Sequence, residues 1–213
     1  MSLVFYHSPN SRSSSVRVLL EELGATYDMR VLNMKAGEQR GAAFLAVNPM
    51  GKVPAIVDDG ALVTEQVAIF LYLADKFPQA RLAPAIGDPL RGPYLRFMAF
   101  YSSCFEPAVV DKALKRTTEP VAMSPYGSYD AVMDLLHGQL ARGPYLLGET
   151  FSAADILWAA GLQWTMGFGI VARDPDFEAY VLRVTSRPTF QRVMAVEQEL
   201  AAGHAAAADP KGA

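Results

Sequence analysis

A chain of 213 residues with 51% hydrophobic and 19% charged residues has the length and composition of one or two globular domains, which excludes disorder over most of its course. The formal charge of −3 is spread evenly, 7 basic against 8 acidic residues up to Pro78 and 12 against 14 beyond it, so no part is basic enough to hold a phosphate backbone. Cys104 is the only cysteine, which excludes an internal disulfide and any multi-cysteine metal site. The chain opens directly on a strand-like run, LVFYH, and no apolar stretch reaches the roughly 18 residues of a membrane span. These features predict a cytoplasmic protein that needs no membrane and no nucleic acid.

In chain order, Leu3 to His7 is the first strand, and the turn-rich SPNSRSSS follows it. Apolar positions then recur at Val16, Leu19, Leu20 and Leu23, the stripe of an amphipathic helix that Gly24 stops. Tyr27 to Asn33 predicts a second strand, and Ala42 to Ala46 a short helix. After NPMGK, the runs Val53–Val57 and Ala61–Val63 flank Asp58-Asp59-Gly60 as a β-hairpin, and a helix over Glu65–Phe77 closes the unit. The stretch PQARLAPAIGDP carries three prolines and no period, so it predicts a linker over 79–88 between a domain of 1–78 and one of 89–203.

Beyond the linker only helical stripes appear. One runs through Leu90, Tyr94, Phe97, Met98, Tyr101 and Phe105, and others cover 131–140, 153–166, 177–185 and 189–202, so the second domain is all-α. Asp88-Pro89 suits a helix start, and Ser152 with Asp155 resembles a capping box. Residues 204–213 read as a frayed tail. Cys104, on the first of these stripes, reads as a buried small hydrophobe.

Three local features of the first domain could carry chemistry. Asn10, Ser11, Ser13, Ser14 and Ser15 place hydroxyl and amide groups beside the N-terminus of the first helix, whose partial positive charge lowers a thiol's pKa; plain N-capping would also account for them. In MGKVPAI a proline begins a strand, which leaves the backbone groups of Val53 able to pair with a peptide-like ligand. Glu65-Gln66 opens the last helix of the domain, where N–H groups and the Gln66 amide suit a carboxylate and Glu65 suits an ammonium. No Gly-rich phosphate loop is present, and His7, His137 and His204 are too scattered for a metal site or a serine-protease-like arrangement.

Together the order β-α-β-α-β-β-α and the phrases NPMGKVPAIVDDGALVTEQVAIFLYLADKF and GPYLLGETFSAADILWA resemble the cytosolic glutathione transferase family over nearly the whole chain. The resemblance implies an α/β thioredoxin-like N-terminal domain, an all-α C-terminal domain, a homodimer, and glutathione as cosubstrate without a metal. It implies that Pro54 is a cis-proline, that Val53 bonds the cysteinyl backbone, that Glu65 and Gln66 take the γ-glutamyl end, and that Lys35 and Lys52 reach the glycyl carboxylate. Gln66 stands where the family usually has Ser. Through SPNSRSSSVRVLLEELG the chain resembles beta-type members, whose reactive Cys falls at Arg12. Ser11, with Asn10 beside it, is then the first candidate for the thiolate's partner; Ser13 and, by its spacing to Arg17, Tyr6 are rivals. The implied reaction joins the glutathione sulfur to an electrophilic carbon of an apolar molecule, in a pocket for which Tyr101, Phe105, Trp164 and Phe168 are the candidate walls. A glutathione-dependent isomerase or dehalogenase, or a non-catalytic glutathione-binding module, remains open.

Overall fold

The computed structural model describes residues 2–117 and 119–208. Contacts divide the chain into two units, one of residues 1–80 with 188 onward, the other of residues 81–187.

In the first unit, β1 (Leu3–His7), β2 (Asp28–Val31), β3 (Ala55–Asp58) and β4 (Ala61–Thr64) form one sheet in the order β2-β1-β3-β4. β1 and β2 are parallel, joined by the crossover helix α1 (Ser13–Glu22); β3 runs antiparallel to β1 and to β4. The hairpin turn is Asp59-Gly60, with φ of 47° and 90°, the type I′ geometry that matches the twist of the flanking strands. The predicted stripe Val16, Leu19, Leu20 and Leu23 is buried throughout. Gly24, at φ 64°, ends α1 in a Schellman arrangement, with Ala25 N–H donating to Leu20 and Gly24 N–H to Glu21.

Two strands are shorter than their sequence runs. β2 stops at Val31 because the Asn33 side chain accepts the N–H groups of Lys35 and Ala36, turning the backbone out of the ladder. β3 begins at Ala55 because Pro54 has no N–H to give. The short α2 (Ala42–Leu45) buries Phe44, and α3 (Gln66–Lys76) buries Ile69, Phe70, Leu73 and Ala74.

The last helix, α9 (Pro188–Ala208), groups with this unit and not with the helices that precede it in sequence. It buries Phe190, Val193 and Glu197 at the spacing of one helix face. Residues 204–208, expected in a frayed tail, continue this helix; 209–213 lie outside the described residues.

The second unit contains α4 (Arg91–Phe100), α5 (Glu106–Ala113), α6 (Tyr129–Leu140), α7 (Ala153–Gly167) and α8 (Pro175–Thr185). A π-helical segment, Tyr101–Phe105, joins α4 to α5, so the stripe predicted as one helix passes through a wider turn. That turn keeps Tyr101 and Phe105 both facing Trp158, whose ring lies 5.2 Å and 4.9 Å from theirs and whose Nε1 donates to the Phe97 carbonyl at 3.0 Å. A Cβ added at Gly161 on α7 would stand 2.6 Å from the Tyr101 hydroxyl oxygen, so this helix contact needs glycine. Within the predicted linker, Leu82 is buried and its carbonyl accepts the Ala153 N–H, which pins the segment to the start of α7. Asp88 accepts the N–H of Leu90 and so stands just ahead of α4.

The capping box at α7 forms as predicted, with Asp155 accepting from the Ser152 N–H and hydroxyl. Its other oxygen accepts from the Leu146 N–H at 2.9 Å and the Tyr180 hydroxyl at 3.0 Å. Burial outweighs these donors and pushes the Asp155 carboxyl up to about 6 from 3.8. Between pH 4 and 6 the native state therefore holds a proton that the unfolded chain has lost, so the stability this group contributes is fully present below pH 4 and is lost as pH rises through 6. We expect about 3 kcal/mol of unfolding free energy to disappear over that interval, and the loss to be absent in Asp155→Asn. Denaturant titrations across this range measure it as the difference between the parent and Asp155→Asn, and a pH dependence that is the same in both would refute it.

Candidate active site

The sheet register assembles the three features singled out in the sequence. Tyr6 pairs with Ala55, and Ala55 with Thr64, so His7, Pro54 and Glu65 follow side by side at one edge of the sheet. The Leu32 N–H donates to the His7 carbonyl at 2.7 Å, which brings the loop carrying Lys35 to the same edge. The Val53–Pro54 bond is cis. Gly51, at φ 59°, passes so close to the Gln39 carbonyl that an added Cβ would lie 2.8 Å from it, and this tight passage leads into Lys52 and Val53. Lys35 and Lys52 are exposed, Val53 is half-buried and Pro54 is buried.

The openings of α1 and α3 are tied to each other. The Gln66 amide donates to the Arg12 carbonyl at 3.1 Å and to the Ser15 hydroxyl at 2.7 Å. The donor half of this amide is thus committed inside the protein, contrary to the expectation that it serves a carboxylate; its buried Oε1 has no protein partner and offers an acceptor. The first N–H groups of α3 lie outside the intrahelical ladder and are the remaining donors there that suit a carboxylate. Glu65 sits at φ 64° and ψ 117°, a conformation that costs a non-glycine residue about 1–3 kcal/mol, and its side chain is exposed. Asn10, at φ 56°, is also exposed, in the left-handed region that asparagine tolerates.

The serine turn is a connected network. The Ser11 hydroxyl lies 2.7 Å from the Ser8 carbonyl and 2.6 Å from Ser13 Oγ, and accepts the Ser13 N–H at 3.2 Å. Ser13 Oγ accepts the Ser8 N–H at 3.0 Å and lies 2.8 Å from His7 Nδ1. His7 Nε2 stands 3.0 Å from Oε1 of Glu197, with side chains 0% and 1% exposed. The same carboxylate accepts Arg17 Nη1 at 3.0 Å and the Ser14 hydroxyl at 2.6 Å. Burial opposes ionisation of Glu197, but His7, Ser14 and Arg17 together hold its carboxyl below the usual range. Tyr6, by contrast, lies on the alternate face of β1, its ring 5.4 Å from that of Phe44.

His7 and Glu197 were not singled out in the sequence as site residues. Their signal is positional: His7 continues the inward series Leu3, Phe5, and Glu197 continues Phe190, Val193, each a polar residue at a core position.

In the second unit Tyr101 and Phe105 are buried against Trp158, which makes them core and not pocket wall. Trp164 and Phe168 are exposed, with ring centroids 4.7 Å apart. Cys104 is half-buried and not buried as expected, because the π turn leaves its sulfur near the Ser103 hydroxyl and the Pro125 carbonyl. Among the described residues His137, Asp174 and Asp176 come within 4.8 Å of one another; Asp174 caps α8 there and His137 stacks on Phe177.

Removing the Glu197 carboxylate strands the Arg17 charge and uncouples α9 from α1 and β1. Glu197→Ala should cost about 3–5 kcal/mol of stability, measured by denaturant unfolding; a loss below about 1 kcal/mol would show that the network is not what holds α9.

Residues 1–75 match the family model described as glutathione S-transferase, N-terminal domain. A crystal structure of a glutathione transferase from Methylococcus capsulatus is 30% identical, with a TM-score of 0.78 over 92% of this chain and 99% of that one. A sphingomonad glutathione S-transferase complexed with glutathione is 32% identical, with a TM-score of 0.75 over 92% and 98%. The glutathione S-transferase GstA of Escherichia coli O157:H7 is 24% identical over 90% of this chain and 97% of its own length.

Proposed function

This chain belongs to the glutathione S-transferase family, and from that premise we propose that it binds glutathione at the sheet edge and transfers its sulfur to an electrophilic, apolar small molecule. The observation that carries the reading is the register that sets His7, Pro54 and Glu65 side by side, with Gln66 bonded across to the opening of α1. In this reading the backbone of Val53 pairs with the cysteinyl residue. Glu65 and Gln66 Oε1 accept from the γ-glutamyl ammonium, the first N–H groups of α3 hold its carboxylate, and Lys35 and Lys52 draw the glycyl carboxylate.

The sulfur then lies over the N-terminus of α1, where the helix dipole favours the thiolate and Ser11 and Asn10 stand at the turn. The thiolate forms a C–S bond as the electrophile's leaving group departs with its electron pair. The protein supplies orientation and a lowered thiol pKa, and no covalent enzyme intermediate is required.

A second reading, a glutathione-binding module without turnover, is favoured by one observation: the Ser11 hydroxyl is turned inward toward Ser8 and Ser13. Initial rates with an aromatic halide, a peroxide and a disulfide, each with and without glutathione, separate the two. The transfer reading fails if no electrophile is consumed while glutathione binds.

If Ser11 contacts the sulfur, Ser11→Ala should lower turnover near neutral pH by about ten- to a hundredfold and recover in part as pH rises, with glutathione affinity little changed. Tyr6→Phe should stay near the parent rate. The opposite pattern, with the shifted pH limb in Tyr6→Phe, would transfer the role to Tyr6.

A cytoplasmic homodimer completes the proposal. Met50 and Leu62 on the first unit, and Leu95 and Val110 on the second, are exposed apolar side chains that a partner copy would cover. Light scattering at micromolar concentration should return about twice 23.1 kDa, and a mass of a single chain would sink this part of the reading.

A further inference from the structure

Resting on the glutathione reading above, we propose that His7, oriented by Glu197, takes up the proton of the bound thiol through the hydroxyls of Ser13 and Ser11. The four side chains form an unbroken series from the buried carboxylate to the turn at the sheet edge, with contacts of 3.0, 2.8 and 2.6 Å.

Counting hydrogens gives the series a direction. Nε2 stands 3.0 Å from a carboxylate that can only accept, though its N–H is not aimed along a hydrogen bond; the relay assigns the hydrogen of a neutral His7 to Nε2 and leaves Nδ1 as an acceptor. The single hydroxyl hydrogen of Ser13 has two acceptors in reach, Nδ1 at 2.8 Å and the Ser8 carbonyl at 3.0 Å, and the relay uses the shorter contact, to Nδ1. The hydrogen between Ser13 and Ser11 must come from Ser11, whose other available acceptor, the Ser8 carbonyl at 2.7 Å, also lies inward. The Ser8 N–H donates to Ser13 Oγ, filling its remaining capacity. In this state half-buried Ser11 has no hydrogen for a thiolate; it has a lone pair for the hydrogen of a thiol.

One proton reverses the whole series. The S–H bond breaks as Ser11 Oγ gains that hydrogen, the original Ser11 hydrogen passes to Ser13, and that of Ser13 passes to His7 Nδ1. One S–H and two O–H bonds break, and two O–H and one N–H bond form. The products are a thiolate facing a Ser11 O–H that now donates to it, and an imidazolium between Ser13 and Glu197. Once the C–S bond has formed, the imidazolium proton returns along the same hydroxyls to water.

Among the described residues, the charged groups at this ring are Glu197, on α9, and Arg17, on α1, which shares the Glu197 oxygen. The Phe5 ring, 5.4 Å away on β1, and the Ser14 hydroxyl on Glu197 complete the surroundings. Ser11 is the catalytic residue in this scheme; Ser13, His7 and Glu197 act through it.

The test reads the ultraviolet absorbance of bound glutathione thiolate against pH in the parent, Ser13→Ala and His7→Asn, with glutathione affinity measured by calorimetry. The expected result is a thiolate that forms in both variants at least about one pH unit, or tenfold, later than in the parent, with affinity for the protonated thiol within about twofold. A role confined to packing would not move this profile. A proton inventory of thiolate formation in the parent, which needs no variant, should curve because more than one proton is in flight. Variant profiles that coincide with the parent's, or a linear inventory, overturn the relay and leave glutathione binding intact. A parent that binds no glutathione, or forms no thiolate earlier than free glutathione does, overturns the reading on which the relay rests.

Discussion

The Glu197 carboxylate is the contact on which the first unit depends. An ionised group almost wholly withdrawn from water is tolerable only where other groups replace its hydration, and here Arg17, Ser14 and His7 do so from two different elements. One side chain of α9 thereby binds the helix that opens at the serine turn and the strand that ends at it. The apolar contacts of Phe190 and Val193 hold the helix against the unit; the carboxylate decides its rotation and register.

The sheet edge shows how a small unit can gather polar backbone without burying it unpaired. One strand starts just after Pro54, another stops at His7, and the hairpin delivers Glu65 alongside them, so that each strand gives way there to a helix or loop. The unfavourable backbone of Glu65 is held there by the hairpin on one side and by α3 on the other. That a strained, exposed acidic residue persists beside two helix N-termini is consistent with a site shaped for a zwitterionic ligand.

Most of the fold could be read from local pattern. The α1 stripe, the Asp59-Gly60 hairpin and the Ser152–Asp155 capping box depend on residues a few positions apart, and each formed where its chemistry required. The Glu65-Gln66 and Val53-Pro54 features were visible for the same reason. What stayed hidden depends on partners distant in sequence. Nothing near Gln66 says that its amide will be spent on Arg12 and Ser15. The pairing of His7 with Glu197 spans nearly the length of the chain, and so does the return of α9 to the first unit. The π turn at Tyr101–Phe105 was likewise invisible, because a spacing of four residues fits an α-helical stripe as readily as the wider turn, and only the Trp158 ring distinguishes them.

The return of α9 also has a consequence for the order in which the protein can fold during synthesis. Residues 1–80 leave the ribosome first, but the helix that completes their unit follows only after residues 81–187. Until then Arg17 and His7 have no carboxylate, and the face of α1 that α9 covers stays open to solvent or to a chaperone. The second unit is continuous in sequence and has its own aromatic core around Trp158, so it can close while the first is still waiting. The half made first is the half finished last.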